Sequence, residues 1–174
     1  MSTLTEPQTR SGAFIHYLFE HCQHDKGFAA RLRRASNPAT EYQSWEILGR
    51  FGINLENDAE RRVYGLVSAA LANSRAQTNG SLKLGQAVAL SFPDGSNSDQ
   101  AKARLRRLLA CESVEEVCRI LRPLLSLIQS RVSQPLDYEN LLNDLLFFNR
   151  GGERVRARWA QQFYASEPKG EGAK

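Results

Sequence analysis

Arginines spaced to grip phosphate are the chemistry this chain offers most plainly. They fall in three groups: Lys26, Arg31, Arg33 and Arg34; Lys102, Arg104, Arg106 and Arg107, continued by Arg119 and Arg122; and Arg150, Arg154, Arg156 and Arg158. A guanidinium is a flat fork of five donors that holds a phosphate through two parallel bonds, whereas an ammonium is a point charge. The chain carries 18 Arg against 5 Lys. A GC-rich genome also raises that ratio, so composition alone leaves both causes open. Spacing says more. Leu105, Leu108 and Leu109 fix the inward face of one helix and leave Arg104 and Arg107 three apart on one side; Arg119 and Arg122 are three apart one helix later. If the two helices pack antiparallel, their four guanidinium groups form one stripe of fixed charges. Such a stripe suits a phosphate backbone and carries no base-edge code. For any single Arg a solvated ion pair is the plainer reading; the three groups together favour a polyanion surface.

Other chemistry is sparse. His16, His21, Cys22 and His24 are four metal-ligand types within nine residues. Zinc sites draw paired ligands from two separate places, and the sequence offers no second pair. The expectation is a buried Cys22, surface histidines and no metal. No phosphate-cradling glycine loop, dinucleotide fingerprint or nucleophile elbow occurs. The carboxylates sit beside arginines or at helix starts, as in Glu115-Glu116, and no pair is placed for acid–base work. The expectation is therefore a protein with no catalytic residues and no cofactor.

The elements that must position these arginines read as helices almost throughout. Ser11 can cap a first helix carrying Phe14, Leu18, Phe19 and Cys22, and Phe28 and Leu32 mark a second. Asn37-Pro38 reads as a cap with proline at the first helical position, followed by Tyr42, Trp45 and Leu48. Asn57 or Asp58 starts an amphipathic helix with Val63, Leu66, Val67, Ala70 and Leu71 on one stripe. Ser81 starts a helix with Leu84 and Val88. Phe92–Asn97, with its Pro-Asp-Gly, is the strongest break, and the domain boundary is expected there. Ser98, Ser113 and Asp137 cap the later helices; Pro123 is expected to kink or split the helix begun at Ser113, and Gly151-Gly152 to form a turn before Val155, Trp159 and Phe163. The fold expected is all-α, two small helical bundles in tandem at 11–95 and 98–166, with disordered tails at 1–10 and 167–174. Three scattered cysteines make no disulfide framework. The polar N-terminus carries no apolar signal core, and no apolar run reaches a membrane span. A cytoplasmic protein is expected, with no membrane partner.

Four stretches resemble the CasB family, the small subunit of the type I-E Cascade CRISPR surveillance complex. Lys26-Gly-Phe-Ala-Ala-Arg-Leu-Arg-Arg34 is similar to an early basic helix of that family, followed by Asn-Pro and a helix holding Tyr42 and Trp45. Ser81-Leu-Lys-Leu-Gly85-Gln-Ala-Val88 is similar to its Leu-Gly-x-Ala-Leu segment. Arg104 to Leu125 resembles an arginine-started helix, an acidic turn and a helix ending in Leu-Arg-x-Leu-Leu. Pro135-Leu-Asp-Tyr138, then Phe147-Phe148 and a basic terminal helix, resembles the family's C-terminal end. The resemblance covers residues 11–165. It implies an all-helical, non-catalytic subunit, present as two self-associating copies that pack along the crRNA-bearing backbone of the other Cascade subunits. These copies would hold the target strand and the displaced strand of an R-loop, while sequence is read by guide pairing.

The residues expected to contact phosphate in crRNA and in single-stranded or duplex DNA are Arg31, Arg33, Arg34, Lys83, Arg104, Arg107, Arg119 and Arg122. Two other readings stay open on the residues: a helix-turn-helix DNA-binding regulator using the helix from Ser98, and a helical protein-interaction adaptor without nucleic acid.

Overall fold

A computed structural model describes residues 8–166. Among them run eight α-helices: α1 (Arg10–His24), α2 (Lys26–Arg33), α3 (Trp45–Arg50), α4 (Asp58–Asn73), α5 (Leu84–Leu90), α6 (Asp99–Leu109), α7 (Val114–Arg131) and α8 (Tyr138–Tyr164). The all-α expectation is met, and no strand is present among the described residues beyond an isolated parallel bridge, Leu82 to Leu136. No helix among them is long and apolar enough to cross a membrane.

The caps explain most of the helix starts. Asn57, Ser98, Ser113 and Asp137 each accept a bond from the backbone N–H three residues on, satisfying one of the donors a helix N-terminus leaves unpaired. Several starts differ from expectation. Thr9, not Ser11, caps α1, because its Oγ1 accepts from Gly12 N at 2.9 Å; Ser11 is buried inside the helix and bonds Asn143. The Asn37-Pro38 pair opens no α-helix: the chain turns, passes through a 3₁₀ segment at Glu41–Ser44 and only then enters α3. α5 starts three residues after Ser81, since Leu82 is taken by the bridge to Leu136. Pro123 does not split α7, which runs through it to Arg131. The ring lies on the exposed side, while Val117, Leu121, Leu124, Leu125 and Ile128 hold the other face in the core. The turn expected at Gly151-Gly152 is present: Gly151 leaves the helical conformation (φ −143°, ψ 42°), and α8 is two helical pieces joined across that kink.

α8 is the element the others pack on. Its Val155, Trp159 and Phe163 are fully buried, and it is covered by α1, α4, α5, α6 and α7. The α5–α8 contact is the most extensive in the fold, and α4 packs on both α7 and α8. Helices before and after the turn at Phe92–Asn97 thus bury each other's apolar faces, and one core cluster runs from Phe14 to Phe163. A cut between 11–95 and 98–166 would pass through that core. The tails at 1–7 and 167–174 lie outside the described residues; Thr9 and Arg10, placed in the N-terminal tail from sequence, belong to the start of α1.

Gly85 shows how close the two halves come. A Cβ there would lie 2.2 Å from the Trp159 carbonyl oxygen and 2.9 Å from the Phe163 nitrogen, both backbone atoms that cannot rotate away. The Gly85 N–H also donates to Gln162 Oε1 at 3.1 Å. Gly85→Ala is expected to force α5 off α8 and to cost about 1–3 kcal/mol. A urea unfolding midpoint equal to that of the parent protein would refute this close approach.

Candidate nucleic-acid interface

The eight side chains expected to bind phosphate divide sharply by what they already hold. Arg31 donates from Nη1 to Glu46 Oε2 at 3.2 Å, and Arg34 from Nη1 to Gln43 Oε1 at 2.6 Å. Arg33 donates from Nε to the Ala72 carbonyl at 3.3 Å, pinning α2 to the end of α4. Lys83 donates from Nζ to Asp137 Oδ2 at 2.5 Å. Burial raises the Asp137 carboxyl, but bonds from Lys83, the Asn140 N–H and Asn79 outweigh it and hold it below the usual carboxylate value. That cluster knots the loop before α5 to the cap of α8.

Arg104, Arg107, Arg119 and Arg122 are different. All four are exposed, and none has a side-chain hydrogen bond or ion pair among the described residues. The link from α6 to α7 is short, and packing of the two helices gathers Arg104, Arg107 and Arg119 around one concavity of about 190 Å³. Arg119 also lines a larger groove of about 700 Å³, together with Arg122. Arg122 in turn lines a third concavity together with Arg33. The stripe expected from spacing is therefore a row of adjoining hollows that runs from α6 across α7 toward α2.

The groove also contains Arg62, which the sequence reading passed over. It too is exposed and without a partner among the described residues. One signal was available. Arg62 precedes Leu66 by four residues, so it lies along the apolar stripe of α4; packing alone turns that edge to α7. Its neighbour Arg61 is structural, bonding the Leu55 carbonyl at 2.7 Å and lying 2.9 Å from Asp58. The turn after α2 comes close to α4 beside the groove: a Cβ on Gly65 would lie 2.7 Å from the Ala35 carbonyl oxygen.

The third basic group is internal scaffolding in part. Arg156 donates to the carbonyls of Leu109 and Cys111 at the end of α6, each at 3.3 Å, and Arg158 binds the buried Asp144. Two of the thiols are poor nucleophiles: burial pushes Cys22 up to about 11 and Cys118 up to about 12. His16 pairs with Glu20 at 3.1 Å, and the His21 ring lies against Tyr17 and Phe28.

Against known families, the model of the CRISPR-associated protein Cse2 matches residues 29–164. The chain belongs to the Cse2 family. The resemblance to CasB read from the sequence is thereby met. The Cse2 chain is similar in structure to CasB from M. ruber, with TM-score 0.73 and 27% identity over 91% of this chain and 94% of that one. CasB from Thermobifida fusca shares the fold at TM-score 0.68 and 21% identity, over 91% and 99% of the two chains. A chain of a CRISPR RNA-guided surveillance complex shares it at TM-score 0.65 and 22% identity, over 90% and 91%. No curated protein sequence matches. In this Cse2 protein Arg62, Arg104, Arg107, Arg119 and Arg122 lie on α4, α6 and α7, inside the span that matches the family.

Proposed function

We propose that this Cse2 protein is a non-catalytic, nucleic-acid-binding subunit of a type I-E CRISPR surveillance complex in the cytoplasm. It holds the backbones of the target and displaced strands of an R-loop. It packs, as two copies, along the crRNA-bearing subunits. The observation that carries the reading is the row of Arg62, Arg104, Arg107, Arg119 and Arg122: five exposed guanidinium groups on adjoining hollows, none engaged by another side chain among the described residues. Arg33 extends the row, with one of its donors already used. Arg31, Arg34 and Lys83 already hold Glu46, Gln43 and Asp137, which draws their charge toward protein partners. Tyr42, Trp45, Leu146, Phe147 and Tyr164 remain exposed and are available to neighbouring subunits.

Filter binding tests this reading, with single-stranded RNA, single-stranded DNA and duplex DNA of unrelated sequence at several salt concentrations. Binding to each is expected to fall linearly in log K against log salt. For a single strand the slope should be about −3.5 if all five arginines engage phosphate. No retention at low salt, or retention indifferent to salt, overturns the reading and favours a protein-binding adaptor.

A further inference from the structure

The groove shared by Arg119 and Arg122 is shaped for more than phosphate. Its volume is about 700 Å³, within the range of clefts that enclose organic rings, and Ala35, Pro38, Leu66, Pro123 and Cys118 make much of its lining apolar. Arg62, Arg119 and Arg122 stand in the same groove with their charges unpaired among the described residues. Glu115 also lines it and has no partner among those residues. Toward a bare phosphate track a carboxylate is repulsive, whereas toward the edge of a nucleobase it is an acceptor for an exocyclic amino group.

We propose that this groove takes an unstacked nucleobase of a single strand, with the flanking phosphates on Arg62, Arg119 and Arg122. The proposal rests on reading the arginine row as a nucleic-acid track and adds the class of strand that the track selects. A duplex keeps its bases stacked and paired and cannot enter; a single strand turns a base in at the cost of little stacking. Charge complementarity separates this occupant from an apolar peptide. Of the two carboxylates in the groove, Glu41 lies 3.5 Å from Arg61, which leaves three guanidinium groups against Glu115. A second groove of similar size, about 750 Å³ beside α1, has the opposite character: Glu20 and Glu139 line it, and no Arg or Lys does.

The test is fluorescence anisotropy on the full chain with two labelled single strands of equal length, oligo-dC and an abasic strand with the same number of phosphates. The parent protein is expected to bind oligo-dC roughly 5- to 30-fold more tightly than the abasic strand, the gain from removing about 40–80 Å² of base surface from water in an apolar-lined groove. Ser126→Leu supplies the second arm. Ser126 is exposed on α7, lines the groove and bonds only the Arg122 carbonyl of its own helix. An isobutyl group there occupies the hollow without altering charge and without offering a ring for a base to stack on. It should lower oligo-dC affinity toward the abasic level and leave abasic binding and its salt slope unchanged. Equal affinity of the parent protein for the two strands overturns the base pocket while leaving the phosphate track intact. A preference that survives Ser126→Leu undiminished overturns the location. Absence of salt-dependent binding to either strand overturns the track itself, and the pocket with it.

Discussion

Replacing Arg104, Arg107, Arg119 and Arg122 together by Ala is expected to lower affinity for a single strand by about 10²–10³-fold near 0.1 M salt and to flatten the salt slope by about 3. Each phosphate neutralised on a single strand releases about 0.7 of a counterion, so each contact contributes roughly a factor of 5 at that salt, and four multiply. The loss should be similar for unrelated sequences, because backbone contacts carry no base code. Stability should barely move. All four side chains are exposed, hold no bond to another side chain among the described residues, and sit on helices, where Ala is favourable. A thermal midpoint within a few degrees of the parent, together with the lost affinity, separates binding from folding. Unchanged affinity and an unchanged slope would remove these four residues from the interface. The parallel change of Arg31, Arg34 and Lys83, which already hold Glu46, Gln43 and Asp137, should reduce affinity far less.

Trp159→Ala is expected to cost about 3–5 kcal/mol, which for a chain of this length lowers the melting temperature by roughly 10–20 °C. Trp159 is fully buried, stacks on Phe148 with centroids 6.0 Å apart, and sits where α5 presses on α8. Its Nε1–H donates to Asp144 Oδ2 at 3.0 Å, and Arg158 takes the other carboxylate oxygen. Burial pushes the Asp144 carboxyl up, opposed by the Trp159 bond and by Arg158. Trp159→Phe retains most of the apolar volume and removes the donor, at a cost of about 1–3 kcal/mol. That cost has a pH signature. Without the donor, the folded-state pKa of Asp144 rises further above its unfolded value. Folded Asp144 then binds its proton more readily, so stability falls as pH rises from the unfolded value through the folded one. The deficit of Trp159→Phe relative to the parent should therefore be largest near neutral pH and shrink in acid. Urea melts at several pH values measure it; a deficit constant with pH would mean that the carboxylate does not depend on the indole.

Local signals were read well where they were local in cause. Asn57, Ser98, Ser113 and Asp137 cap the helices they were expected to cap, because a cap needs only a side-chain oxygen and an N–H three residues on. The apolar stripes of α4, α7 and α8 named the buried faces for the same reason. Misreadings arose where a distant partner outbid a local preference. Ser81 lost its helix start because Leu82 bridges to Leu136, and Asn37-Pro38 opened no α-helix. Pro123 did not break α7 because the opposite face is held in the core.

By itself the sequence determined an all-helical chain, the inward face of its main helices, and a surplus of arginine set opposite leucine on α6 and α7. Periodicity and composition carry those properties, and both are written along the chain. Only the tertiary structure decided which cations are free. Arg31 finds Glu46 15 residues away, Arg34 finds Gln43 9 away, and Lys83 finds Asp137 54 away, whereas Arg104, Arg107, Arg119 and Arg122 find no such partner among the described residues. It also brought Arg62 of α4 into the groove of α7 and joined both halves of the chain through α5 and α8. A helix periodicity says which side of an element turns inward, but it does not name the element that meets it, and the charges left over after packing depend on that meeting.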